Sequence, residues 1–312
     1  MEKNISNREF SKLLIDSLSN NNVKYACIAP GSRNMPLAQA LINNEHIKCF
    51  SHIDERSMCY FGVGLAKNSG HPVIILTTSG TATANLLPGI IEAQLSHTPL
   101  IAITADRPEE MINSGAPQTI NQKNIYGNHV NAAIDIEHEK MTLSESLNKI
   151  SDFLSLCGKK KPGPMHINIR FNEPLFDSLR NIKTNIKPFS KPKINDNEKI
   201  ILPKFEKPII VCGPLRDNEK NDNILSFAKK INAPILADIL SQFRFSNKKN
   251  HTLVRYESYI EKIDGNPDII IRFGDKPICK KLNLFLENHK SKTILINEFR
   301  NINDDCQKQI KI

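Results

Sequence analysis

The sequence predicts an α/β protein: a doubly wound, mostly parallel sheet in a first domain, followed by a second, smaller α/β domain. Two observations carry this prediction. Short apolar runs alternate with amphipathic stretches of helical period along the 312 residues, and that alternation is typical of strand–helix–strand units. Hydrophobic residues make up 39% and charged residues 24% of the chain, a composition that excludes collagen-like and disordered classes.

The first domain is predicted over residues 1–177. Ser6 and Glu9 form a capping-box pattern that starts a helix, and Pro36 suits the first turn of the next one. Asp54 can cap a third helix. The strand-like runs are residues 24–29, 47–52, 73–78, 100–104 and 165–171, and further helices are expected at 81–94 and 144–156.

The second domain is predicted over residues 208–312, after a surface linker at 178–207 that is rich in Lys, Pro and Asn. Its strand-like runs are residues 208–212, 234–237, 269–273 and 293–296, and its helix-like stretches are 217–231 and 277–287. Four strands followed by a polar tail make a thin doubly wound domain, so we predict that the second domain is truncated.

The charge distribution argues against nucleic-acid binding, although the net charge is +9. Residues 1–175 carry 16 basic and 16 acidic side chains, and residues 176–312 carry 26 and 17. The excess is spread out rather than gathered in a stripe, and five Tyr with no Trp leave few rings to stack on bases.

Membrane and secretion signals are not found either. No run approaches the roughly 18 apolar residues of a membrane span, and the N-terminal segment lacks a signal-peptide core. The seven cysteines form no CxxC pair, which disfavours a disulfide framework or a structural zinc site. We therefore expect a cytoplasmic protein with reduced thiols.

Four strand-to-helix loops of the first domain carry polar residues that could bind a ligand. They read PGSR at residues 30–33, HIDER at 52–56, TSGTA at 78–82 and ADRP at 105–108, the last continuing to GAPQ at 115–118. Parallel strands bring such loops to one edge of a sheet, where open α/β sheets bind ligands. Taken singly, each loop is equally explained as a tight turn or a capped helix start.

Two features of these loops bear on the ligand. Glycine and hydroxyl residues at helix starts suit an anion or a polar ring, and two arginines that converge on one pocket suggest a substrate with more than one carboxylate. The dinucleotide fingerprint GxGxxG is absent, which disfavours a plain nucleotide-binding module.

Together, in this order and spacing, the four loops resemble one family closely: the thiamine-diphosphate enzymes that make 2-succinyl-5-enolpyruvyl-6-hydroxy-3-cyclohexene-1-carboxylate (SEPHCHC) in menaquinone and phylloquinone biosynthesis. The resemblance covers residues 5–177 strongly. It continues more weakly through the second domain, where residues 272–277 and the pair Lys280 and Lys281 also fit.

The resemblance implies a transferase that decarboxylates 2-oxoglutarate and adds the four-carbon unit to isochorismate, with thiamine diphosphate and Mg2+ as cofactors. Glu55 would be the catalytic carboxylate that hydrogen-bonds the aminopyrimidine ring. The other residues that match the family's cofactor positions are Pro30, Thr78, Ser79, Gly80 and Thr81. Those that match its substrate positions are Ser32, Arg33, Arg107, Gln118, Lys280 and, with a looser match, Lys281.

The resemblance also implies a third domain that holds the diphosphate and the metal, and we find no Gly-Asp segment followed by paired asparagines that would supply it. Gly274-Asp275 is the one Gly-Asp pair, and it lies in the second domain. We therefore expect no metal ligand in this chain and no turnover by the chain alone. A homo-oligomer, or a separate chain carrying the diphosphate domain, would complete the site.

Three interpretations of the chain remain open at this stage. It is a truncated or split synthase, a non-catalytic partner of a full-length enzyme, or another thiamine-diphosphate enzyme of the acetolactate synthase type. The retained Glu55, arginines and Gln118 argue against a long-decayed relic. The Arg33 and Arg107 pair suits polycarboxylate substrates better than pyruvate.

Overall fold

The computed structural model describes residues 5–159, 162–176, 201–215, 220–245, 251–262, 266–297, 304 and 306–311. The chain divides into two units, Met1–Lys193 and Ile194–Ile312. Most of the predicted linker lies outside the described residues, so the domain bounds given above stay a prediction. Within these described ranges no helix is long and apolar enough to cross a membrane.

The first unit is built on a six-stranded parallel sheet with helices on both faces, as predicted. Its elements are α1 (Asn7–Asn20), β1 (Tyr25–Ile28), α2 (Met35–Ile42), β2 (Lys48–Ser51), α3 (Glu55–Ser69), β3 (Val73–Thr77), α4 (Thr81–Ala84), α5 (Leu87–Leu95), β4 (Leu100–Asp106), β5 (Ala132–Ile136), α6 (Leu143–Lys159) and β6 (Met165–Arg170). The strand order is β2-β1-β3-β4-β6-β5.

Local sequence explains why these elements form where they do. The Ser6 side chain accepts a hydrogen bond from Glu9 N and the Glu9 side chain accepts one from Ser6 N, which completes the predicted capping box of α1. Asp54 caps α3 by accepting from Ser57 N. Every residue of β3 and β4 is buried, because each strand is covered by helices on both faces.

Two elements of the first unit differ from the prediction. β5 was not predicted, and a single helix over residues 81–94 is wrong, since α4 and α5 are separated by Asn85 and Leu86. β5 is a short edge strand that pairs only with β6, a later segment of the chain. Its formation therefore depends on a partner 33 positions away (Ala132 beside Met165), which local periodicity does not reveal.

The second unit holds another six-stranded parallel sheet. Its elements are β7 (Pro208–Cys212), α7 (Lys220–Lys230), β8 (Ile235–Ala237), β9 (Thr252–Leu253), β10 (Ile269–Phe273), α8 (Lys280–Asn288), β11 (Thr293–Asn297) and β12 (Lys308–Lys311). The order β9-β8-β7-β10-β11-β12 is the doubly wound arrangement. Strands β8 and β9 are added on one side of β7, and strands β10 to β12 are added on the other side.

The prediction of four strands in the second domain is wrong, because β9 and β12 extend the sheet at its two edges. β12 has the polar sequence KQIK, so its composition does not mark it as a strand. A buried ion pair fixes the segment before it: both terminal nitrogens of Arg272 donate to the Asp304 carboxylate, and the Arg272 side chain is fully buried. β12 therefore forms because it pairs with β11 and because the Arg272–Asp304 ion pair holds the preceding segment, and its own sequence does not predict it.

Candidate active site

The four loops singled out above follow β1, β2, β3 and β4, and these strands are parallel neighbours. Their carboxyl ends therefore meet at one edge of the first sheet. The chain runs from β1 outward to β2 and then returns to β3 on the other side of β1. This reversal places residues 30–33 and residues 78–81 on either side of the point where ligands bind in such sheets.

The first and third loops are in direct contact. A Cβ atom added to Gly31 would lie 2.3 Å from Thr78 Cβ, so only glycine permits this approach of the two loops. Pro30 and Ser32 are exposed. The Asn34 amide donates to Ala29 O at 2.8 Å and holds the turn that follows β1.

Glu55 is the first residue of α3 and is partly exposed. The Asn85 amide donates to Glu55 Oε2 at 3.1 Å, a contact that sequence reasoning missed because Asn85 lies 30 residues further along. The neighbouring Asp54 is committed to its cap: hydrogen bonds from Ser57 lower the pKa of the Asp54 carboxyl. Asp54 therefore serves the helix cap, whereas Glu55 is held by a side chain from another loop.

Residues 78–81, named here the cofactor loop after the role that the resemblance implies, follow β3 and end at Thr81, the first residue of α4. Gly80 has φ +83°, a conformation that favours glycine, and its N–H donates to Gln122 Oε1 at 2.8 Å. The hydroxyls of Thr77 and Ser79 are buried without a hydrogen-bond partner within the part of the chain that the structure describes. Thr78 is buried and Thr81 is exposed.

This set of groups fits the polar ring of thiamine diphosphate. A partly exposed carboxylate, buried hydroxyls without a partner among the described residues and a glycine turn are suited to a ring that carries both an amine and acceptor nitrogens. Among the described residues there is no group of three or more His, Cys, Asp or Glu side chains that could hold a metal ion. The described residues therefore fit the ring of the cofactor.

Arg33 is 5% exposed, and two hydrogen bonds hold its guanidinium group. Its Nη1 donates to Phe171 O at 2.9 Å and its Nη2 donates to Glu173 Oε1 at 3.3 Å. Burial, together with the charge of Arg107, lowers the pKa of the Arg33 guanidinium. The two guanidinium groups are thus close enough for their charges to repel one another.

Arg107 is partly buried and donates from Nη2 to Pro117 O at 3.3 Å. This bond joins residues 104–107, the end of β4 and the first residue after it, named here the arginine loop, to the segment that carries Gln118. Gln118 is exposed, with φ +55°, and a Cβ atom added to Gly80 would lie 3.0 Å from Gln118 O. The structure therefore brings Arg33, Arg107 and Gln118 to the same sheet edge as the cofactor loop.

Lys280 and Lys281 lie in the second unit, at the start of α8, and both are exposed. Lys281 Nζ lies 3.3 Å from Glu261 Oε1. The loop before them is fixed by Asp238, which is fully buried and accepts from Ile278 N at 3.1 Å. Their role in substrate binding stays a prediction.

Sequence reasoning missed a buried polar network beneath these loops. Gln122 and Asn168 are 0% and 1% exposed and hydrogen-bond to each other at 2.9 Å. Arg170 is 5% exposed and pairs with Asp135 at 3.0 Å and Glu109 at 3.2 Å. One signal was available: polar residues alternate along the strand MHINIR, which is unusual for a strand that the sheet buries completely.

Comparison with known proteins agrees with this geometry. Residues 8–125 match the family described as thiamine pyrophosphate enzyme, N-terminal TPP binding domain. Three relatives are each named 2-succinyl-5-enolpyruvyl-6-hydroxy-3-cyclohexene-1-carboxylate synthase. They come from Chloroflexus aurantiacus (34% identical over 294 residues), Listeria innocua (34% over 300) and Staphylococcus haemolyticus (37% over 289).

The chain resembles the SEPHCHC synthases. The matches cover 88%, 90% and 88% of this chain but 50%, 52% and 50% of the three relatives, so the chain spans about half the length of the curated relatives it matches. The resemblance therefore confirms the fold and the SEPHCHC synthase likeness predicted from the four loops.

Proposed function

We propose that this chain forms the aminopyrimidine-binding and substrate-binding wall of a SEPHCHC synthase. One observation supports the proposal above the others. The partly exposed Glu55, the cofactor loop and the Arg33 and Arg107 pair share one edge of one sheet. A proton-handling carboxylate beside two cations suits a reaction that activates a cofactor ring next to a dicarboxylate.

Each residue has a defined part in this proposal. Glu55 holds a proton against the aminopyrimidine ring, and Asn85 orients the carboxylate from the other side. Thr78, Ser79, Gly80 and Thr81, with Pro30 opposite, form the surface on which the ring lies. Bound thiamine diphosphate supplies the electron sink for loss of CO2 from 2-oxoglutarate.

The substrates are recognised through their carboxylates. Arg33 and Arg107, with Ser32 and Gln118 beside them, are placed to hold 2-oxoglutarate and isochorismate, both of which are dianions. A planar guanidinium binds a carboxylate through two parallel hydrogen bonds, which fixes orientation as well as affinity. We assign Lys280 and Lys281 to the same substrates on the strength of the family likeness alone.

A second chain or a second stretch of chain completes this site in our proposal, by holding Mg2+ and the diphosphate. Three large apolar side chains beside Glu55 in sequence are exposed: Ile53 at 89%, Tyr60 at 47% and Phe61 at 42%. We propose that these side chains belong to the surface that the partner covers, because burial of exposed apolar groups would stabilise the complex. Such a partner would cover them, and a cytoplasmic location goes with this assignment.

The test is reconstitution. The purified chain, given thiamine diphosphate, Mg2+ and 2-oxoglutarate, is expected to release no CO2. Addition of a chain that carries a diphosphate-binding domain is expected to restore SEPHCHC formation, and Glu55→Gln in that mixture to lower turnover by about two orders of magnitude or more. Near-normal turnover with Glu55→Gln would refute the catalytic assignment.

A second candidate function is that of an acetolactate-type synthase, and the substrate that the reconstituted mixture consumes distinguishes it from a SEPHCHC synthase. The arginine pair favours 2-oxoglutarate over pyruvate because the distal carboxylate of 2-oxoglutarate gives the second guanidinium a partner. Consumption of pyruvate in preference to 2-oxoglutarate by the reconstituted mixture would favour the second candidate. Failure of every reconstitution would favour a non-catalytic partner of a full-length enzyme.

A further inference from the structure

A chain of buried hydrogen bonds connects the cofactor loop to the arginine loop. Gly80 N donates to Gln122 Oε1 at 2.8 Å, and Gln122 Nε2 donates to Asn168 Oδ1 at 2.9 Å. Asn168 Nδ2 donates to Asp106 Oδ2 at 2.8 Å, and Asp106 Oδ1 accepts from Arg107 N at 2.8 Å. Four consecutive bonds thus run from Gly80 to Arg107.

The three connecting side chains are almost completely enclosed: Gln122 and Asp106 are 0% exposed and Asn168 is 1% exposed. Water therefore cannot replace a broken bond without entering the core, and a buried polar group left without a partner is costly. The chain of bonds is consequently more rigid than a series of surface contacts would be.

The orientation of both amide side chains is determined by their neighbours. Gly80 N–H requires an acceptor, so the oxygen of Gln122 must face it. Asn168 Oδ1 also accepts from Thr104 Oγ1 at 2.7 Å, and Asn168 Nδ2 also donates to Asp135 Oδ1 at 2.7 Å. A flipped amide at either position would set donor against donor.

Gln122 also forms a direct hydrogen bond with the arginine loop. Its Nε2 donates to Ala105 O at 3.2 Å, two residues before Arg107. At the other end of the same segment, Gln118 O lies 3.0 Å from the position that a Cβ of Gly80 would occupy. Gly80 is therefore confined by residues from both ends of the segment 118–122, and it cannot shift without moving that segment.

We propose that Gln122 and Asn168 are positioning residues that set Gly80 in the cofactor loop at a fixed place relative to Arg107 in the arginine loop. Neither side chain is placed to touch substrate or cofactor, because both are buried under the loops. They act through the backbone N–H of Gly80 and the carboxylate of Asp106. The part about ligands rests on the proposed function, whereas the mechanical link between the loops does not.

The first test is backbone hydrogen exchange by mass spectrometry on the full chain without ligand. Gln122→Met keeps the length of the side chain and removes its hydrogen bonds, so exchange at Gly80 and at Arg107 is expected to accelerate about tenfold in both loops. Tyr126→Phe is the matched control. It removes a buried bond, from Tyr126 Oη to Thr83 O at 2.8 Å, in the same unit but outside the chain of bonds.

The control separates a positioning role from general destabilisation. If Tyr126→Phe accelerates exchange at Arg107 as much as Gln122→Met does, or if Gln122→Met leaves exchange at Arg107 unchanged, the proposal is refuted. Acceleration at both loops in Gln122→Met, with Arg107 protected in Tyr126→Phe, supports it.

Gln122→Glu supplies an independent test that does not depend on Gln122→Met folding normally. An ionised carboxylate accepts from Gly80 but has no proton to give Asn168, whereas the protonated acid can do both, as glutamine does. Protection at Gly80 and Arg107 in Gln122→Glu, taken relative to the natural chain at the same pH, is therefore expected to be low at pH 8 and to recover about tenfold at pH 5. An equal ratio to the natural chain at the two pH values would overturn the proposal.

These exchange measurements need no ligand, so their failure would refute the link while leaving the proposed function standing. Conversely, a reconstituted mixture that shows no activity would refute the proposed function while leaving the exchange result intact.

Discussion

We predict that the free energy of unfolding of the first unit falls in acid because of the buried side chain of His138. It is fully buried, both ring nitrogens lack a hydrogen-bond partner among the described residues, and its ring contacts Phe10 at 4.7 Å and Phe171 at 5.7 Å between centroids. Burial lowers the pKa of His138 to about 4, from an ordinary value of 6.5. The folded state therefore requires the neutral imidazole.

The sign of the effect follows from the two pKa values. Below pH 6.5 the unfolded chain binds a proton that the folded chain does not, so the free energy of unfolding falls as the pH drops from 6.5 toward 4. The whole difference between the two pKa values corresponds to about 3 kcal/mol, of which about 2 kcal/mol is lost between pH 7 and pH 5.

The assay is urea unfolding followed by circular dichroism, at pH 7 and pH 5, for the natural chain and for His138→Leu. Leucine is close to histidine in volume and cannot be protonated, so the variant is expected to lose about 2 kcal/mol less than the natural chain over this range. His166, whose pKa burial lowers to about 3, titrates equally in both chains and cancels. An identical pH dependence in the two proteins would refute the reasoning.

Three further predictions concern other parts of the molecule. Arg107→Ala in the reconstituted mixture should weaken 2-oxoglutarate binding about 10- to 100-fold and thiamine diphosphate binding far less, as measured by titration calorimetry. A larger loss of thiamine diphosphate binding than of 2-oxoglutarate binding would contradict the substrate-binding role of Arg107. Gly31→Ala should cost about 1–3 kcal/mol of unfolding free energy because its Cβ would overlap Thr78. Its control, Gly64→Ala, meets nothing within 4 Å and should stabilise α3; equal effects would show that the contact is unimportant. Asp304→Asn should destabilise the second unit by about 3–5 kcal/mol, since it leaves Arg272 buried without a counter-charge. Glu261→Gln, in an exposed pair with Lys281, should cost under about 1 kcal/mol in the same urea unfolding; a similar loss in both variants would contradict the role of burial.

The helix starts and the central strands could be predicted from neighbouring residues alone. The capping box of α1 and the Asp54 cap of α3 depend on side chains three positions apart, and the apolar run of β3 is buried whichever strands flank it. These are local properties, so a sequence pattern is sufficient to identify them.

Of the edge strands, β2 could be predicted from its sequence, whereas β5, β9 and β12 could not. β5 and β12 are short, one of them is polar, and each is a strand because a distant segment offers it hydrogen-bond partners. Edge strands bury less apolar surface than central ones, so selection leaves a weaker hydrophobic pattern in them. The same reason explains why four strands were predicted for a sheet of six.

For the candidate site, the sequence by itself determined the chemical groups and the order of the loops: PGSR, HIDER, TSGTA and ADRP with GAPQ. Only the tertiary structure decided how those groups are held. It enclosed Arg33 against Phe171 O, gave Glu55 its partner Asn85, and joined Gly80 to Arg107 through Gln122 and Asn168. At least 30 positions separate the partners in the contacts Arg33–Phe171, Glu55–Asn85, Gly80–Gln122 and Gln122–Asn168. Such contacts form only when the strands between them have paired into a sheet.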